Sequence, residues 1–219
     1  MLDTVIAIVK RATEPRRGVA PRYRPYHVIK LLRLLYHREP LGRHALSREL
    51  GLGEASTRTL LRRLRELGVV EVDRVGGAIL TELGRKAIRE FMEFVPAIAR
   101  VTQVLERLKL DREAVAALVS STLLGDAKPV VIRDYIVKRG ASAALIVRVD
   151  EDAAKIPPDD VGEETFPELK RLREELDAKK GLYILISYSG SEEQAEQALI
   201  EAILDIAEAQ SKSASSRSQ

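Results

Sequence analysis

The sequence contains no cysteine, which excludes disulfides, thiolate metal sites and cysteine nucleophiles together. It also has no tryptophan and no asparagine, and only three phenylalanines and two methionines. Its three histidines, His27, His37 and His44, all lie near the start, without the cysteines or paired carboxylates that a metal site would need. No metal and no cofactor are expected. Beyond residue 44, acid–base chemistry would fall to Asp, Glu, Lys or Tyr. Nucleophile elbows, P-loops and G-x-G-x-x-G runs are also missing, so the expectation is that the chain is not an enzyme. The longest nearly apolar stretch, 114–125, is far too short to span a bilayer. The opening MLDTVIAIVKR carries an acid at position 3 and too short an apolar core for a signal peptide. A cytoplasmic protein without a membrane partner is expected. The scarcity of Asn, Gln, Met and Trp beside 32% charged residues leans toward a thermophile.

What is present is ample apolar and charged material. At 219 residues and 45% hydrophobic content, the chain can build two domains of ordinary size. The net charge of +3 hides an asymmetry: residues 1–95 hold 19 Lys/Arg against 11 Asp/Glu, and residues 96–219 hold 17 against 22. A basic module joined to an acidic one suits a polyanion-binding half and a half with another task.

Residues 41–83 read LGRHALSRELGLGEASTRTLLRRLRELGVVEVDRVGGAILTEL. From Gly53 to Gly68, Thr57, Leu60, Leu61, Leu64 and Leu67 fall on one side of a helix, and Ala55, Arg58, Thr59 and Arg62 on the other. The stretch 43–50 predicts a short helix before it, with Gly51-Leu52-Gly53 as the joining turn. Val69-Val70-Glu71-Val72, Gly76-Gly77 and Ala78-Ile79-Leu80 predict a hairpin, and Thr81 caps the next helix. With L-x-x-L-G-V-V closing the helix and T-E-L-G-R after the hairpin, this run resembles the winged-helix domains of bacterial and archaeal transcriptional regulators, over about residues 25–95. The resemblance implies a winged helix-turn-helix with double-stranded DNA as partner. Arg58, Thr59 and Arg62 would reach base edges, Ala55 and Ser56 would allow close approach, and Arg63, Arg65, Arg74 and Arg85 would contact phosphate. RNA or protein docking is the alternative use of such a module.

Around this centre, Leu2, Val5, Ile6 and Val9 predict a short amphipathic helix. The segment 10–24, with six basic residues and two prolines, is either an arm entering the minor groove through Arg16, Arg17 or Arg22, or a solvated linker. After the hairpin, Ala87, Phe91, Phe94, Ile98, Val101, Leu105 and Leu108 recur at coiled-coil spacing, interrupted by Pro96. Residues 96–110 are therefore expected as a helical connector and candidate homodimer seam, or as a stripe packed within the chain.

The second domain, 111–210, alternates strands at 143–149 and 182–188 with helices at 129–140, after Thr165-Phe166-Pro167-Glu168, and after Ser191-Glu192-Glu193-Gln194, the last two opened by capping boxes. The apolar run 115–119 is ambiguous between helix and strand, and a ferredoxin-like plan takes it as the first strand. The expected class is α+β, the C-terminal part being a small α/β sandwich of ferredoxin-like plan. Ile132-Arg133-Asp134, Gly140-Ala141 and Ile156-Pro157 resemble the C-terminal domain of an archaeal family of winged-helix proteins, a domain to which the resemblance assigns no activity. The turn Ser187-Tyr188-Ser189-Gly190-Ser191 joins a strand to a helix N-terminus. With Arg133 and Asp134 it is a candidate site for a small anionic effector, or merely a cap. Residues 211–219, with five serines, are expected to be disordered. The whole reads as a dimeric DNA-binding transcriptional regulator with a ligand-sensing or dimerisation domain; the alternative is a regulator whose second domain transforms a small molecule.

Overall fold

A computed structural model describes residues 2–16, 18–73, 77–151 and 153–217. The chain is mixed α+β, a helical N-terminal part followed by an antiparallel sheet, and it divides into the units Leu2–Phe91 and Met92–Gln219. No helix among the described residues is long and apolar enough to cross a membrane.

In the first unit, α1 (Asp3–Thr13) buries Val5, Ile8, Val9 and Ala12, so the inward face includes the expected Val5 and Val9 but takes Ile8 in place of Ile6, which is half-buried. Helix α2 (Pro25–Arg38) opens on its proline, which needs no N–H partner there, and buries Val28, Leu31, Leu32 and Leu35. The His27 ring is buried, and its Nδ1 accepts from the Arg24 N–H at 3.0 Å, closing the first turn. Then come α3 (Arg43–Glu49), α4 (Glu54–Glu66), the antiparallel pair β1 (Val70–Asp73) and β2 (Gly77–Leu80), and α5 (Glu82–Phe94). Thr81 Oγ1 accepts from Gly84 N–H at 3.1 Å and so caps α5.

The segment after α1 is not free. Tyr23 is buried and donates to the Ala12 carbonyl at 2.9 Å, and Arg16 bridges to Val19 through paired backbone hydrogen bonds. Arg17 lies outside the described residues.

Gly84 is required where α5 passes the backbone just before β1: a Cβ there would sit 2.2 Å from the Val69 carbonyl oxygen and 3.1 Å from Leu80 Cδ2. Since the nearest obstacle is backbone, it cannot rotate away. Gly84→Ala is expected to destabilise the first unit by about 3 kcal/mol, as a forced backbone shift does. Urea unfolding followed by helical circular dichroism measures it, and an unchanged midpoint contradicts the close approach.

The second unit is a six-stranded sheet in the order β3-β4-β8-β5-β6-β7, every neighbouring pair antiparallel. Its strands are β3 (Ala97–Arg100), β4 (Glu113–Ser120), β5 (Ala143–Val149), β6 (Ala154–Ile156), β7 (Val161–Gly162) and β8 (Leu182–Ser189). The short α6 (Ser121–Leu124) and α7 (Pro129–Lys138) connect β4 to β5, α8 (Glu168–Glu175) precedes β8, and α9 (Glu192–Arg217) follows it. Alternation along the strands divides the side chains between two cores. One holds Ala116, Leu118, Ile184 and Ile186 with Leu169 and Leu172 of α8. The other face, with Val115, Val119 and Leu185, meets α7 and α9. Arg139 ties these helices together: its Nε reaches Asp205 at 2.6 Å and its Nη1 the buried Glu201 at 3.3 Å.

Several expectations are corrected. Residues 96–110 are not a helical connector. Pro96 ends α5, Ala97–Arg100 pairs with β4, and Val101, Leu105 and Leu108 enter the core beneath α8. The ferredoxin-like plan places its last strand after the second helix, whereas here the position beside β4 is filled from the N-terminal side by β3, and β6, β7 and α8 are inserted before β8. The stretch from Ser211 continues α9 as far as Arg217, aided by a Lys212–Glu208 ion pair one turn apart at 2.8 Å. Residues 218–219 lie outside the described residues.

The expected capping box at Thr165 does not form. Glu168 is buried and its Oε1 accepts the N–H groups of Arg107 and Leu108 at 2.8 and 3.0 Å. Burial pushes its carboxyl up, but these backbone donors outweigh burial and hold it below the usual range. A depressed folded-state value contributes stability that is present above the unfolded value and lost as pH falls through the folded one. Wild type is therefore expected to exceed Glu168→Gln in stability at neutral pH. The gap should narrow below about pH 4, where unfolded Glu protonates. Urea midpoints across acid pH test this, and a gap independent of pH refutes it.

Candidate nucleic-acid interface

Helix α4 turns Thr57, Leu60, Leu61 and Leu64 inward, so the 100° step per residue leaves Ala55, Arg58, Arg62 and Arg65 outside. Arg58, Arg62 and Arg65 line a concavity of about 630 Å³. Its other walls are Arg43 and His44 at the start of α3, and Val72 and Asp73 of β1 with Gly77 of β2. The hairpin is placed there by Leu41, whose N–H and carbonyl pair with Ala78 at 3.1 and 2.8 Å. Gly77 permits that approach: its φ is +95° and a Cβ would lie 2.8 Å from the Leu41 carbonyl carbon.

The charge in this concavity is largely uncompensated. Arg58 and Arg65 make no ion pair among the described residues, and Arg62 reaches Glu66 only at 4.0 Å. Glu66 is instead held by Arg16 at 2.6 Å, and that hydrogen bond keeps its carboxyl below the usual range. Glu54 Oε1 lies 2.9 Å from His44 Nδ1, and Glu54 Oε2 lies 4.0 Å from Arg43. Four arginines thus stand against two carboxylates, Glu54 and Asp73, an excess of positive charge that attracts a polyanion.

The remaining expected DNA contacts separate into three groups. Ala55 is exposed, and Ser56 and Thr59 are half-buried; they stand outside the concavity, and Thr59 Oγ1 donates to the Ala55 carbonyl at 2.9 Å. Arg63 and Arg85 are both engaged by other residues of the fold. Arg63 is buried, donates to the carbonyls of Ala12 and Glu14 at 2.9 and 2.5 Å, and carries its guanidinium 5.8 Å from the Tyr23 ring centroid. The helix step turns position 63 toward α1, where unsatisfied helix-end carbonyls need donors. Arg85 is paired with Glu39, whose second oxygen accepts from Leu80 N–H at 2.7 Å. Arg74 lies outside the described residues. Of the arm residues, Arg16 is engaged by Glu66, whereas Arg22 is exposed with no ion pair among the described residues. Arg43 and His44 were legible only as the polar start of a short helix, a signal too common to single them out.

The second candidate site does not assemble as expected. Ser189 donates to Gln194 Oε1 at 3.2 Å and Ser191 Oγ accepts from Gln194 N–H at 3.3 Å, so this turn caps α9. Gly190 has open space around it, its nearest neighbour being 3.8 Å from a Cβ, so close backbone approach does not explain it. Ser187 is buried with a hydroxyl that has no partner among the described residues. Arg133 bonds Asp134 at 3.1 Å on α7 and lines a different cavity, of about 390 Å³, to which none of the serines contributes.

Comparison with known proteins divides the chain at the same place. Residues 28–86 match the PH0730-like N-terminal domain, and residues 112–206 match a domain of unknown function, DUF4443. The solved structure of hypothetical protein PH0730 from Pyrococcus horikoshii OT3 is similar at 25% identity and a TM-score of 0.63, over 88% of this chain and 95% of that one. No functionally curated protein matches the sequence. A PH0730-like N-terminal segment followed by a C-terminal domain of unknown function fits the archaeal family of two-domain proteins that the sequence resembles.

Proposed function

We propose that this chain is a DNA-binding transcriptional regulator of the cytoplasm, with a winged helix-turn-helix as its first unit. In this reading α3 and α4 are the helix pair, α4 enters the major groove, and β1–β2 is the wing. The observation that carries it is the concavity in which Arg58, Arg62 and Arg65 of α4 meet Arg43 and the hairpin. A lone basic helix would be a solvated face, but cations from two helices gathered beside a hairpin match the outline of a duplex backbone. The second unit would serve effector sensing or assembly. DNA-binding winged helices commonly act as two-fold dimers on paired half-sites, so a homodimer is the expected DNA-bound state, with a surface that does not use the buried Val101, Leu105 and Leu108.

The test is selection of duplexes from a random pool by the full chain. Enrichment of an inverted repeat supports the regulator and its dimer together. Enrichment of single-stranded or structured RNA over duplex, or no enrichment, overturns the reading.

A further inference from the structure

We propose that the cavity between α7 and the β5 edge binds a small organic carboxylate with a compact apolar body. The floor is Ala144 and Ile146 of β5, and one wall is Ile156 of β6 with Pro157 and Pro158. Pro129 and Val130 of α7 form the opposite wall. The cavity exists because β6 pairs with β5, among the described residues, only at Arg148 and Val149. Before that, β5 has β8 on one side alone, and the strap from Ile156 to Pro158 stands away from it. At about 390 Å³ the space falls in the range that holds a small ligand.

The chemistry of the lining selects the occupant. Proline, valine, isoleucine and alanine offer apolar contact and little hydrogen bonding, so the bulk of the ligand is apolar. The charged groups that line the cavity are Lys128 and Arg133, both cationic. Arg133 is already bonded to Asp134 at 3.1 Å, whereas Lys128 makes no ion pair among the described residues. Lys128 also sits at the start of α7, where the helix dipole favours negative charge. A single anionic group held by Lys128, with a ring or branched chain against Ile146 and Ile156, satisfies both halves of the cavity. Arg133, expected beside the Ser187–Ser191 turn, instead meets Ile156 and Pro157 here. As a binding site the cavity stands by itself; as the effector site it rests on the regulator reading.

The probes are benzoate, 3-phenylpropionate and indole-3-acetate, each beside its uncharged amide, titrated calorimetrically into the full chain without DNA. At least one carboxylate is expected to bind, with its amide about tenfold weaker or worse. Lys128→Met, on an exposed side chain, should weaken the carboxylate about tenfold and leave the amide unchanged. Val130→Trp should close the mouth and abolish both. Each variant's melting profile checks that it is folded. Failure of all three carboxylates at millimolar concentration, or equal affinity in wild type and both folded variants, overturns the site. Duplex binding by the same samples separates the readings. Binding to DNA that the carboxylate does not alter overturns the effector role, and loss of the regulator reading leaves a ligand-binding domain.

Discussion

Replacing Leu105 and Leu108 together by glutamate is expected to unfold the second unit rather than to release a folded monomer. Both leucines are buried, at 3% and 8% exposure, in the core under α8. Their segment is also fixed by polar contacts: the Leu108 carbonyl accepts from Tyr188 OH at 2.7 Å, and the Leu108 N–H donates to Glu168. Each substitution forfeits about 2 kcal/mol of apolar burial. The added carboxylates must then either ionise without a partner beside the charged Glu168 or protonate at a further cost. The total, roughly 6 kcal/mol or more, is comparable to the whole stability of an ordinary domain. Loss of β-sheet circular dichroism and of a cooperative transition is the expected result. Leu105→Met, which preserves volume, should stay folded with a cost under about 1.5 kcal/mol. A double variant that remains folded and turns monomeric would return these residues to a surface seam.

The same residues show where sequence reading succeeds and where it stops. Val28, Leu31, Leu32 and Leu35, or Thr57, Leu60, Leu61 and Leu64, bury as their spacing says because each helix closes its own hydrogen bonds and needs one apolar stripe. Val101, Leu105 and Leu108 carry similar spacing but follow Pro96, so a turn-rich segment places them in the core without a helix. Periodicity reports that a residue is buried, not which partner buries it. Strand β3 has four residues, too few for alternation to stand out, and its register comes entirely from β4. Glu168 stands at a helix-start position, where the sequence pattern points to a local cap. Its acceptors serve a segment 60 residues away, and no short-range pattern reports that. Arg63 failed for a related reason: the spacing put an arginine near the inward side of α4, and only the carbonyls of Ala12 and Glu14 show why burial is tolerated there.

The largest functional effect should come from Arg58→Ala combined with Arg62→Ala. Both side chains are exposed on α4 and line the concavity beside the hairpin. If α4 occupies the major groove, each guanidinium is placed to read a guanine edge in bidentate fashion, a contact whose loss costs about 1–3 kcal/mol. The pair together should weaken a selected duplex by roughly 2–6 kcal/mol if the two act independently. Random duplex should lose much less, because phosphate contacts supply most nonspecific binding. Arg65→Ala is the contrast. Nearer the C-terminal end of α4, it should weaken all duplexes about equally and reduce the salt slope by about one unit. Arg63→Ala is the control for misfolding, since it removes a buried donor from the Ala12 and Glu14 carbonyls and should lower stability before it alters base preference. Fluorescence anisotropy on selected and scrambled duplexes at several salt concentrations separates these outcomes. Equal losses on both duplexes for the Arg58 and Arg62 pair would assign that face to phosphate and move sequence reading to another element.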